Sequence, residues 1–243
     1  VSIGSACGRS GFDRVPAPPD VSPAVDVALA IDAPPVMIEW VNAFAQPRPM
    51  GTGPVDTFTA TAQHTGDAVV LLVACDDGTM PTAVSVSAPG WSFDPLGPIT
   101  GAPGMWAASF GAIAPDTVSA LFTVSWEGSG CSSGRAELGD EFTNTDPAGG
   151  MVTFDMHTEA AGSGDAMALV TTGHANEAVW GACVSTGTIT DVGVGYTQGA
   201  DNSRGDWSEY RITPDAAGTR EPVTFRNASV NAYVLTTVAI RPR

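Results

Sequence analysis

The chain has 243 residues, with 26 acidic side chains against 10 basic ones and a formal net charge of −16. That length holds one large β-domain or two small ones, and so acidic a surface repels phosphate backbones, which argues against nucleic acid as a partner. Every basic residue is an arginine, and the excess of Ala, Gly, Val and Pro matches the codon bias of a GC-rich bacterial genome.

In chain order, residues 1–35 come first and read as a tail. They are rich in Pro, Asp and Ala and nearly free of aromatics, a composition that buries too little apolar surface to fold. Within them, Gly4-Ser5-Ala6-Cys7 resembles the end of a bacterial lipoprotein signal, with Gly4 where a leucine is usual. The resemblance implies an acylated Cys7, an acidic spacer behind it, and an extracytoplasmic, outer-membrane or cell-surface location. No run of about 18 apolar residues exists to span a bilayer.

From Val36 onward the apolar residues follow strand periodicity. IEWVNAF, TFTATA, AVVLLVAC, TAVSVSA, ALFTVSW, MVTFDM, AMALVTT, AVWGACV, DVGVGYT, PVTFRNA and AYVLTTVAI are short and rich in Val, Thr and aromatics. Gly, Pro, Asp and Asn separate them, and nothing between them carries an apolar repeat of helical period. Many short strands with regular turns read as a sandwich or barrel. The sequence therefore predicts an all-β protein.

Its landmarks come in pairs. TGDAVVLLVAC (65–75) is echoed by SGDAMALVTTG (163–173), and WAASFGAIAPDT (106–117) by WSEYRITPDAA (207–217). LFTVSW and PVTFRN follow, and GRAELGDEF and NAYVLTTVAI close each half. Four landmarks in one order predict an internal duplication with halves of about 36–145 and 146–243. The Gly-Asp pairs are expected to be turns, with Gly at positive φ and Asp bonding its own backbone. The halves are expected to form one domain, since about 90 residues with few large apolar groups make a meagre core alone.

This order is similar to a class of bacterial secreted domains with paired "GDLLVV…TVTV…GDLVV…EY…TFT…AFRP" signatures, matched here by Glu209-Tyr210 and the closing AIRPR. The resemblance covers about residues 36–243. It implies a jelly-roll-like sandwich built from two related halves on an extracellular or cell-surface protein. It implies no catalytic residues.

Few residues offer chemistry. His64 and His157 each precede a Gly-Asp pair and, with Asp76 or Asp77, could ligate a metal, but zinc-type spacings are missing and surface turn histidines are expected. Glu137 and Glu141 share a strand face if AELGDEF is regular, as glycosidase carboxylates do, while Asp140 points away and Gly139 suggests a bulge. Ser129 and Ser132 lie in a flexible loop without a nucleophile elbow. The loops around Asp76 and DNSRGD (201–206) could hold calcium. Of six tryptophans, Trp91 is the candidate for an exposed ring that stacks on sugar. If Cys7 carries lipid, Cys75, Cys131 and Cys183 form at most one disulfide; otherwise three full pairings are open. The expected function is a non-catalytic envelope or extracellular binding module with glycan as its leading ligand. A structural module that assembles with protein partners or itself is the alternative, and a glycoside hydrolase using Glu137 and Glu141 is third.

Overall fold

The computed structural model describes residues 36–46, 53–128, 131, 134–213 and 215–243. The expected tail with Cys7, and Ser129 and Ser132, lie outside the described residues. The first half contributes β1 (Glu39–Gln46), β2 (Val55–Ala60), β3 (Ala68–Asp76), β4 (Ala83–Ser87), β5 (Phe93–Pro95), β6 (Thr100–Ala102), β7 (Met105–Ile113), β8 (Ala120–Glu127) and β9 (Gly134–Thr143). A single helical turn, α1 (Gly150–Thr153), leads into β10 (Phe154–Ser163), β11 (Ala166–Thr171), β12 (Ala178–Ser185), β13 (Ile189–Asp191), β14 (Thr197–Asp201), β15 (Trp207–Ile212), β16 (Arg220–Asn227) and β17 (Ala232–Ile240). The protein is all-β.

In the first half, an inner sheet in the order β1-β9-β3-β7-β5, with β6 also on β7, faces an outer sheet β2-β8-β4. In the second half the inner order is β10-β17-β12-β15-β14 and the outer order β11-β16-β13. Strand for strand the orders coincide, so each half is a two-sheet sandwich of its own. One expected correspondence changes. Gly164-Asp165 opens β11, which holds the place of β2, whereas Gly66-Asp67 opens β3, whose counterpart is β12. Gly-Asp turn chemistry serves any strand entry, so that echo does not mark equivalent strands.

The sequence of β3 explains how the sandwiches join. All of Ala68–Cys75 is buried, and alternation along a strand sends successive side chains to opposite faces. Val69, Leu71 and Val73 meet Phe58, Phe122 and Trp126 inside the first sandwich. Val70, Leu72 and Ala74 face the other way, into a core shared with Phe154, Trp180, Val184, Val238 and Ile240 of the second half. β12 is likewise buried along its length, with Val179 and Cys183 meeting Val170, Val223 and Phe225 on its other side. Four sheets thus enclose three cores, and residues 36–243 form one unit. A disulfide joins Cys75 to Cys131, and Cys183 is buried as a free thiol.

The middle core encloses a fully buried carboxylate. Asp140 of β9 is fully buried, and its Oδ1 accepts from Trp40 Nε1 at 2.8 Å. Its Oδ2 accepts from Trp180 Nε1 at 2.6 Å and from the Ser208 hydroxyl, both in the second half. Burial raises its pKa to about 6 against the pull of these donors. Beside it, Trp40 stacks on Tyr210 with ring centroids 5.4 Å apart, and a Cβ at Gly199 would strike Asp140. Asp140→Ala leaves three donors unpaired between the sandwiches, so denaturant unfolding should show a loss of about 3 kcal/mol or more. Asp140→Asn, which keeps the shape and one acceptor, should lose less.

Candidate functional site

Two loops carry the same local chemistry. Ahead of β3 the chain reads Gln63-His64-Thr65-Gly66-Asp67, and ahead of β12 it reads Gly173-His174-Ala175-Asn176-Glu177. Gly66 and Asn176 both adopt positive φ, at 90° and 61°. The Asp67 carbonyl accepts from Ala114 N at 2.8 Å, and the Glu177 carbonyl from Thr213 N at 3.1 Å. The histidine related to His64 is therefore His174; His157 lies within β10 instead. His-x-x-acid at the mouth of the central inner strand is the repeat that sequence reasoning missed. Its signal was the spacing of each histidine from the Ala-Val that opens its strand.

Each loop gathers two carboxyl groups around its imidazole. In the first half the ligating atoms of His64, Asp67 and Glu141 lie within 4.8 Å of one another, and His64 Nδ1 is 3.0 Å from Asp67 Oδ2. Asp76 and Asp77 are not members of this cluster. Glu141 Oε1 accepts from the amides of Gln63 and His64 at 2.7 and 3.2 Å. Its Oε2 is buried and meets no donor among the described residues; the Asp67 carboxyl is its neighbour. Burial pushes Glu141 up to about 7 against the two amides, and the Asp67 carboxyl beside it pushes further. In the second half Asp155, His174 and Glu177 form the cluster, with His174 Nδ1 2.9 Å from Asp155 Oδ2 and 3.3 Å from Glu177 Oε1. Where β9 supplies Glu141, β17 has Ala239, and Glu177 caps the amide of Gly173 from within the loop at 2.8 Å.

The remaining acids of β9 are interior groups. Glu137 and Glu141 share the face of Val73 and Val69, in regular register with β3 and without a bulge at Gly139; the irregularity in this sheet lies between Trp40 and Asn42 of β1. Four residues of strand rise separate the two glutamates by about 13 Å, beyond the roughly 5–10 Å between carboxyl groups that glycosidase pairs use. Burial raises Glu137 to about 8, with the charge of Asp56 adding to it and Arg135 opposing it. Glu209 of β15 accepts from Gly193 and Thr224 amides at 2.5 and 3.1 Å. Glu209 thus braces the backbone, whereas neither oxygen of Glu137 meets a donor among the described residues.

The other expected positions are also occupied locally. Trp91 is half-buried, stacked on Phe93 at 5.7 Å and edge-on to Phe122 at 5.0 Å, so its ring packs on the first core rather than standing free. In DNSRGD, Asp206 is buried, accepting from Ser185 N at 2.9 Å and Asn202 Nδ2 at 2.6 Å. Asp201 Oδ1 accepts from Ser203 N at 2.7 Å. Around Asp77, Oδ1 accepts from Thr79 N at 3.1 Å.

One exposed surface carries rows of hydroxyls. On the outer face of β2-β8-β4 the register aligns Thr57, Thr123 and Ser87 in one cross-strand row and Val55, Ser125 and Ser85 in the next, with Thr59 beside Leu121. Their side chains alternate with the buried Phe58, Phe122, Val124 and Val86. No charged residue stands in these rows.

No family, curated protein or solved structure matches this chain.

Glu137 yields a test of the buried acids. Its carboxyl keeps its proton up to about pH 8 when folded and only to about 4.5 when unfolded, so the folded state binds the extra proton between those values. The resulting stability is full below the lower value and is lost as pH rises through the upper one. Thermal melts of wild type should fall from about pH 5 to about pH 8.5, and Glu137→Gln should flatten that decline. An unchanged slope in the variant contradicts the assignment.

Proposed function

We propose that this protein is a non-catalytic binding module of the bacterial envelope or exterior, and that it takes neutral glycan on the outer face of β2-β8-β4. The observation that carries the reading is a pair of charge-free hydroxyl rows, with Thr57, Thr123 and Ser87 in one and Ser125 and Ser85 in the next, bounded at one end by the exposed Glu127 opposite Ala83. Strands spaced about 4.8 Å apart set hydroxyls at an interval close to one sugar residue of an extended chain. Side-chain hydroxyls both donate and accept, as sugar hydroxyls do. A net charge of −16 disfavours anionic polysaccharides, which leaves neutral ones as the class. The tether at Cys7 belongs to the same proposal and would hold this face outside the membrane.

A second reading, assembly with a protein partner or with itself, draws on the corresponding outer face of the second half. There Met167 and Leu169 are exposed beside Thr224 and Pro222, next to a groove of about 450 Å³ that Val194 also lines. The two readings separate in one set of proteins. Retention on insoluble neutral polysaccharide should be lost in Thr57→Glu/Thr123→Glu and kept in Met167→Glu. Equal retention of wild type and the threonine double variant overturns the glycan reading. A size-exclusion shift lost only in Met167→Glu favours assembly.

A further inference from the structure

We propose that His64, Asp67 and Glu141 bind a divalent first-row transition-metal ion, with Zn²⁺ as the representative, at the mouth of the first sandwich. The site is independent of the glycan face, which lies on another sheet.

The donor set is one imidazole nitrogen and two carboxylates, a combination that suits zinc and its neighbours; calcium takes six to eight oxygens instead. A tetrahedral ion with bonds of 2.0–2.2 Å holds its ligand atoms about 3.4 Å apart. The three groups here already lie within 4.8 Å of one another, so binding requires them to close by about 1.4 Å at most. The buried Oε2 of Glu141 points to the ligand. That residue has no solvent exposure, its Oε1 is taken by two loop amides, and Oε2 meets no donor among the described residues, only the Asp67 carboxyl beside it. Asp67, only 3% exposed, brings a second carboxyl against it. Two adjacent buried carboxyl groups repel unless a proton or a cation lies between them. Among the described residues no arginine pairs with either one. The only basic group in the cluster is His64, whose side chain is 60% exposed.

Three protein ligands leave a coordination position open. His64 and Asp67 line a polar cleft of about 420 Å³ together with Thr143, Asn144, Thr145 and Arg243. That cleft, with Arg243 among its lining residues, gives water or a small anion a route to an ion held by His64 and Asp67.

The second cluster differs. The His174 imidazole spans Asp155 and Glu177 at 2.9 and 3.3 Å, and Glu177 Oε2 is held by the Gly173 amide. No unpaired buried oxygen remains in it, so the assignment is confined to the first half and the second serves as an internal control.

The test is Zn²⁺ binding to the chelator-treated full chain, followed by equilibrium titration, with Co²⁺ as a spectroscopic probe. Wild type should bind one equivalent more than His64→Ala, while His174→Ala should retain it. Co²⁺ should give visible bands of a low-symmetry site that disappear in His64→Ala and in Glu141→Gln. If Glu141→Gln does not fold, His64→Ala carries the test, because its exposed side chain supports no core. Equal stoichiometry in wild type and His64→Ala overturns the proposal, as does a Co²⁺ spectrum unchanged by His64→Ala.

Discussion

A strand that is apolar on both faces must be covered twice, and β3 and β12, at the centre of the two inner sheets, are such strands. AVVLLVAC in β3 and AVWGACVS in β12 are buried along their whole length. An outer three-stranded sheet covers one side of each inner sheet; the inner sheet of the other half covers the second side. Burial of Val, Leu and Trp side chains is worth about 1.5–3 kcal/mol each, so separating the halves exposes more than a typical domain's margin of stability. The layer order follows from that requirement.

Apolar contact alone does not fix how two sheets sit on each other. Asp140 does, because its carboxylate needs donors that water can no longer supply, and it finds them at Trp40 in one half and at Trp180 and Ser208 in the other. A slide of one sheet past its partner strands a buried charge, whose cost is several kcal/mol. Glu209 and Glu141 act within single halves by the same logic, accepting from amides of loops that cross the sheet ends. The two halves diverge in how they meet one need. Glu141 reaches the Gln63 and His64 amides from β9; with Ala239 in the related place, the second half lets Glu177 do it from the loop. Glu177 is longer by one methylene than its counterpart Asp67, which gives it the reach.

The strand content and the pairing of closing strands were legible because period-two alternation and turn residues are local signals. The full burial of β3 was legible too, in its unbroken apolar run. Equivalence between the halves was harder. The Gly-Asp pairs at 66–67 and 164–165 look alike since turn chemistry is generic, and they open non-equivalent strands. The related His64 and His174 share only a spacing to the next strand. Glu137 and Glu141 read as a glycosidase-like pair because nothing in AELGDEF reveals that β2 and β8 cover this face. Trp91 read as exposed since its turn is rich in Gly and Pro; the neighbouring Phe93 and Phe122, which hold its ring, are brought together only by the sheet. The hydroxyl rows were present as TFT, SVS and TVS, but a row exists only once the strand register is known.

The central claim is that the middle core makes the two sandwiches one folding unit, although each has a complete set of strands. Scanning calorimetry of the intact chain tests it most directly, since cooperativity is read without cutting the protein. A shared core predicts a single transition whose calorimetric enthalpy equals its van't Hoff enthalpy. Two resolved transitions, or a calorimetric enthalpy about twice the van't Hoff value, would show that the sandwiches melt separately and would contradict it.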